Sequence, residues 1–269
     1  MRPRVDELGS ALRVAGPQAL AEALHASRRD TLQAFAGWRA ALGDTLRLPQ
    51  QPTLNPPLWE LGHIGWFQEY WIGRNPQRAR GAAADPDVAR RAARRDGADA
   101  LYDSSRVAHA TRWALPLPRP DTTLAELEAQ LAQTLALLHE APADDAGLYF
   151  FRLALLHEDM HHEAACYMAQ AQGIELGAGS LAPPPMADTP GAPGEIELPA
   201  GRLRLGSAGE GFAFDNELPA HERAVEAFRI DRRVRRWAEV LPFVEAGAYA
   251  QPRWWSEAGR AWLAQTAAT

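Results

Sequence analysis

Three of the chain's eight histidines fall within the six residues His157, Glu158, Asp159, Met160, His161 and His162. On a helix, His157 and His161 stand one turn apart and roughly 40° round the axis, close enough to share a metal ion. The rest of that face reads Phe150, Leu153, Ala154, Ala164 and Met168, all apolar. Two imidazoles in such a stripe are poorly satisfied unless something binds them together. His162 falls well round the side and Glu163 almost opposite, so neither serves as a ligand on a continuous helix. Asp159, Glu163 and Arg152 share the far face and read as a solvated or inter-helix polar stripe. Residues 157–161 also match the H-E-x-x-H motif of zinc proteases, in which Glu158 would be the general base and a third ligand would follow downstream. The long form of that motif wants Gly at 164 and His at 167, where the chain has Ala164 and Tyr167. Glu175 is the downstream carboxylate, but it lies past the helix stop at Gly173. Upstream, "LWELGHIGWFQEYW" places His63 among Trp59, Trp66, Phe67 and Tyr70. Three neutral imidazoles from two helices make a facial site with open positions, suited to Fe(II) oxygen chemistry or to zinc hydrolysis. Spacing alone leaves both open.

The elements that must carry these residues are helical. Apolar spacing predicts one long helix or two short ones over 17–43, and "NPP" then Gly73 bracket a second helix over 56–73. Thr123 and Glu126 have capping-box spacing and predict a helix from there to about His139. A last long helix is expected over 146–173. Residues 74–120 read as a long crossover, with Arg90, Arg91, Arg94 and Arg95 in a solvated stretch. Four helices with one long crossover make a bundle, a fold that places metal sites in its core. Residues 177–194, "GAGSLAPPPMADTPGAPG", form a Pro/Gly/Ala linker. Beyond it, "GRLRLGS" and "RAVEAFRID" predict short strands, so the chain divides into a bundle (1–176), the linker, and a mixed α+β second domain (195–269). Trp254, Trp255 and Trp262 are expected to fill the core of that second domain. A net charge of −6 argues against nucleic acid as partner, and one cysteine, Cys166, allows no intrachain disulfide. No signal peptide and no apolar run of membrane length is visible, so the expectation is a soluble cytoplasmic protein that binds small molecules. The sequence does not reveal the oligomeric state.

The residues resemble the ergothioneine-type iron-dependent sulfoxide synthase family. That family joins a DinB-like four-helix bundle to a formylglycine-generating-enzyme-like domain of C-type-lectin kind. Its H-x-x-W-F-x-E motif is similar to His63, Trp66, Phe67 and Glu69; its H-E-x-x-H-x-E motif is similar to His157, Glu158, His161 and Glu163. "FDNELPAH", "FRID" and "RWWSEAGRAWL" look like the opening of the lectin-like domain. The resemblance implies Fe(II) held by His63, His157 and His161. It also implies oxygen-dependent carbon–sulfur or carbon–selenium bond formation on hercynine, the trimethylated histidine. "NPPLWELGHIGWFQEYW" and "YDSSRVAHATRWALPLP" look most like the selenoneine-forming branch, which takes selenium from a selenosugar where its relatives use thiols. Arg106 and Arg112, in the crossover, are candidates to meet the donor. Met160 stands where the family often has a Gln that helps hold hercynine, and a thioether cannot supply those hydrogen bonds. The family's V-T-N segment is Val234-Arg235-Arg236 here, and its catalytic tyrosine would lie beyond Thr269. The expectation is therefore a truncated or frame-disrupted lectin-like domain. Two other classes stay open: a zinc hydrolase or thiol transferase built on the same bundle, and a non-catalytic metal-binding fragment.

Overall fold

The computed structural model describes residues 10–176, 194–209 and 211–266. Of the predicted linker, all but Gly194 lies outside the described residues. These residues form two compact units, one of 10–176 with 206–220, the other of 194–205 with 221–266.

The first unit is helical. Helix α1 (Pro17–Leu42) and helix α2 (Pro57–Gln68) both begin with proline, whose fixed φ suits a first turn. Helix α2 runs on into a π-helical turn, Glu69–Gly73, close to the bounds that "NPP" and Gly73 predict. A short helix α3 (Ala98–Tyr102) interrupts the crossover. Helix α4 (Pro120–His139) follows, and α5 (Asp145–Ala171) is capped by Asp144, whose carboxylate accepts from Gly147 N at 2.7 Å. The capping-box spacing puts the start of α4 too late. Pro120 opens that helix, and Thr123 lies inside it with its hydroxyl donating to Arg119 O at 3.2 Å. A proline with its φ already set fixes the first turn ahead of a later side-chain cap.

Apolar faces of α1, α2, α4 and α5 meet in a core built around Leu20, Leu24, Leu131, Leu148, Phe151 and Leu155, with a second cluster around Phe35, Trp38, Leu61, Leu127 and Met168. The arginine-rich crossover is held down at Arg74, Arg90 and Arg95, and exposed at Arg91 and Arg94. Buried Arg74 donates to Arg91 O and, through both terminal nitrogens, to Asp99. Asp99 also accepts from Trp66 Nε1 at 2.7 Å, Glu69 accepts from Arg94 N at 2.6 Å, and Arg95 pairs with Glu126. Arg90 lies over the rings of Tyr70 and Trp71. Glu126 and the rings of Tyr70 and Trp71 draw in Arg95 and Arg90, which composition alone assigns to solvent, while Arg91 and Arg94 are exposed as it suggests. Residues 206–220 also pack in this unit, where Phe212 is buried and Glu217 pairs with Arg13 at 2.7 and 3.1 Å.

The second unit holds two separate antiparallel ribbons. Strand β1 (Glu195–Leu198) pairs with β4 (Phe228–Asp231), and β2 (Gly201–Leu205) with β3 (His221–Val225). Helices α6 (Trp237–Glu245) and α7 (Glu257–Thr266) complete it. A small sheet region thus follows a mostly helical unit. Trp254 and Trp262 are 57% and 47% exposed, so they do not fill a core as expected. Two-stranded ribbons have no second layer with which to enclose an indole. No helix among the described residues is long and apolar enough to cross a membrane.

Candidate metal centre

His63 sits near the middle of α2, buried, with Nδ1 2.8 Å from the carbonyl oxygen of Tyr102. A carbonyl only accepts, so Nδ1 carries the proton and the Nε2 lone pair is free. Gly62 makes this approach possible. A Cβ there would collide with the Tyr102 ring, so only glycine lets α3 come this close. On α5, His161 Nδ1 hydrogen-bonds the Glu60 carboxylate, which fixes the same tautomer and again frees Nε2. Glu60 is buried one turn before His63 and also accepts from Asn55 Nδ2 at 2.5 Å. The His157 ring stacks on Phe67, with centroids 3.5 Å apart and planes 6° from parallel. Its Nε2 lies 3.1 Å from that of His161.

One ring nitrogen from each of His63, His157 and His161 lies within 4.8 Å of the other two. Burial, then the charge of His161, pushes His63 down to about 4; the same causes hold His157 well below its ordinary range. Both are thus neutral imidazoles at neutral pH. His63 and His161 have their ring protons committed elsewhere and their lone pairs turned inward, an arrangement that no single shared proton satisfies. A divalent cation does, and the donor set fits one.

Glu158 is not part of this cluster. It is 1% exposed and locked to Arg28 by bonds of 2.7 and 3.0 Å on the inter-helix side of α5. A protease-type base would have to face the metal, and this carboxylate faces away from it. Asp159 accepts from Ser27 at 2.5 Å, and buried Arg152 reaches Ala15 O and Asp145, so the polar far face of α5 is an inter-helix stripe. Glu163 and Glu175 are exposed and outside the cluster. The buried Nε2 of His162 has no hydrogen-bond partner among the described residues. Cys166 is half-buried, its thiol donating to His162 O at 3.0 Å.

The other sequence-selected residues separate. Arg106 is exposed and makes an ion pair with Asp103 at 3.3 Å. Met160 is 52% exposed. Arg112 is close to the centre: its guanidinium lies 3.9 Å from the centroid of Trp59, which stacks on His63, and its Nη1 donates to Asn55 at 2.9 Å. It also lines a surface cavity of about 520 Å³ with Arg47, Pro56 and Trp113. Sequence reasoning does not single out Glu60 or Asn55. Glu60, three residues before His63 on one helical face, carries the only readable signal among them.

Three curated relatives, all named hercynine oxygenase, match the chain. The one from Mycolicibacterium smegmatis is 34% identical over 255 residues, covering 90% of this chain and 54% of the relative. That from Mycolicibacterium thermoresistibile is 33% identical, covering 83% and 48%, and that from Mycobacterium tuberculosis is 32% identical, covering 77% and 47%. The chain spans about half the length of the curated relatives it matches. They are relatives of the kind to which the sequence resemblance pointed. Residues 23–165, which contain all three histidines, match the DinB superfamily, and the chain belongs to that superfamily.

Proposed function

We propose that the chain carries the iron-binding bundle of an Fe(II)- and O₂-dependent enzyme that joins selenium or sulfur to hercynine. In this reading His63, His157 and His161 hold the iron. The observation that carries it is the convergence of three imidazoles, two with their tautomers fixed so that Nε2 faces inward. Fe(II) on three protein nitrogens keeps open positions and supplies the one-electron chemistry that O₂ requires. The substrate follows from the relatives' name, and the choice between a selenosugar and a thiol donor is the finer part of the proposal. The domain division into 1–176, 177–194 and 195–269, with the last part opening a formylglycine-generating-enzyme-like domain, belongs to the same reading. So does a cytoplasmic setting with small molecules, rather than nucleic acid or membrane, as partners.

The chain's own residues then have distinct tasks. Tyr102 O and Glu60 keep the protons of His63 and His161 away from the metal side. Phe67 covers one face of His157 and excludes water from it. Arg112, beside the cavity of Pro56 and Trp113, offers a guanidinium to an anionic or hydroxylated donor. Exposed Arg106 would act only at the mouth. Half-exposed Met160 would meet hercynine only from the solvent-facing rim, where its thioether leaves any hydrogen bonds to other groups.

The test is anaerobic reconstitution with Fe(II), addition of nitric oxide, and the iron–nitrosyl EPR signal. It is to be followed by oxygen uptake with hercynine and either a selenosugar or a thiol. The signal is expected in the parent protein and absent in His63→Ala. A signal indifferent to His63 would refute the three-histidine site. Metal binding without oxygen uptake for any donor would leave binding alone as the function.

A further inference from the structure

The three histidines are not equally supported. His63 is backed by a neutral carbonyl and His157 by the face of Phe67, whereas His161 is backed by a carboxylate. That carboxylate, Glu60, is buried and has no arginine or lysine in ion-pair contact among the described residues; its partners are His161 and the neutral amide of Asn55. A carboxylate taken out of water needs compensating charge. Here the nearest source of that charge is the imidazole it touches, either through its own protonation or through a cation on its far nitrogen.

Asn55 is itself held from outside. Arg112 Nη1 donates to Asn55 Oδ1 at 2.9 Å, Asn55 Nδ2 donates to Glu60 Oε1, and Glu60 Oε2 receives His161 Nδ1–H. The same guanidinium covers Trp59, which stacks on His63 with planes 10° from parallel. One crossover arginine therefore braces two histidines on two helices. We infer that Glu60 is a positioning residue that orients His161 toward the other two imidazoles, with Asn55 and Arg112 as its anchor. The inference rests on the three-histidine metal reading. A carboxylate on the outer nitrogen fixes the ring and strengthens the inner lone pair, and losing one typically weakens metal binding about 10–100-fold.

Co(II), added to the full chain freed of metal, is the probe, read by its visible absorption and by competition with a chelator. Glu60→Gln keeps the shape and one hydrogen-bond acceptor but removes the charge. Its Co(II) affinity is expected to fall about 10–100-fold with an altered absorption spectrum, while the circular dichroism of the metal-free protein stays as in the parent. Asn55→Ala, which leaves the charge but frees the carboxylate, is expected to lose less, about 3–10-fold, and decides the matter if Glu60→Gln does not fold. Parent-like affinity and spectrum in these variants, with binding abolished in His63→Ala, would overturn the role of Glu60 and leave the metal site standing. Failure of the parent itself to bind Co(II) would remove the metal reading, and this inference with it.

Discussion

Replacing Glu158 by glutamine separates a structural carboxylate from a catalytic one. The Arg28–Glu158 pair has Nε–Oε1 at 2.7 Å and Nη2–Oε2 at 3.0 Å, with the two side chains 4% and 2% exposed. At an effective dielectric near 20, unit charges about 4 Å apart attract by about 4 kcal/mol. Breaking a buried pair by removing one partner costs about 3–5 kcal/mol, because the remaining charge stays buried. Arg28 keeps its bonds to Leu127 O at 2.7 Å and Gln68 at 3.2 Å, and the introduced amide can still accept one bond through its oxygen. The expected loss is therefore at the lower end, about 3 kcal/mol in urea unfolding of the metal-free protein. Arg28→Met with Glu158→Leu should recover most of it, since the desolvation of both charges disappears together. The iron–nitrosyl signal should survive in Glu158→Gln, because the carboxylate faces α1 and not the histidines. Stability within about 1 kcal/mol of the parent, together with a lost nitrosyl signal, would refute the reasoning and return Glu158 to the metal face.

Two further outcomes follow from local geometry. Gly62→Ala drives a Cβ into the Tyr102 ring, so α3 must shift and carry the carbonyl away from His63. The expected cost is about 1–3 kcal/mol, with weaker metal binding, checked by thermal unfolding and by Co(II) titration. An unchanged titration would mean that Tyr102 O does not orient His63. The Cys166 thiol is raised above its ordinary value of 9.0 by burial and then by the charge of Glu163. A raised value means less thiolate at any given pH, so alkylation by iodoacetamide should run slower than for a free thiol at pH 8 and reach half its limiting rate above pH 9. A half-point below that value would show the thiol to be open to solvent.

Much of the bundle is legible in the sequence because its signals are local. Apolar spacing and terminal prolines mark α1, α2 and α5 within a few residues, and helical periodicity brings His157 and His161 together before any fold is known. The fault at Thr123 is of the same local kind, two start signals competing three residues apart. Long-range partners are not legible. Tyr102 O meets His63 across 39 positions, and Arg28 meets Glu158 across 130, so neither pairing follows from period or composition. Arg90 and Arg95 mislead for that reason, since the aromatic rings and the carboxylate that receive them lie on other elements. Arg106 and Arg112 look alike in sequence. Only the path of the crossover sets one on Trp59 and leaves the other in solvent.

The histidine-rich stretch of α5 makes sense once each residue is given its own direction. Successive side chains turn by about 100°, so neighbours in sequence address different surroundings. His157 and His161 face α2 and the cluster, Glu158 faces Arg28, Asp159 faces Ser27, and Met160 faces solvent. The density of polar groups is borne by two helices, because Glu158 and Asp159 meet the adjacent Arg28 and Ser27 of α1 while His161 meets Glu60 of α2. It also explains why the H-E-x-x-H match misleads. The motif specifies two histidines one turn apart, which any helix supplies, but the task of the intervening glutamate depends on what packs beside it. In this bundle an arginine packs there. The carboxylate that serves the histidines comes instead from α2, as Glu60, one turn ahead of His63. The site is thus built by two helices that each contribute a histidine face, and α2 adds the charge.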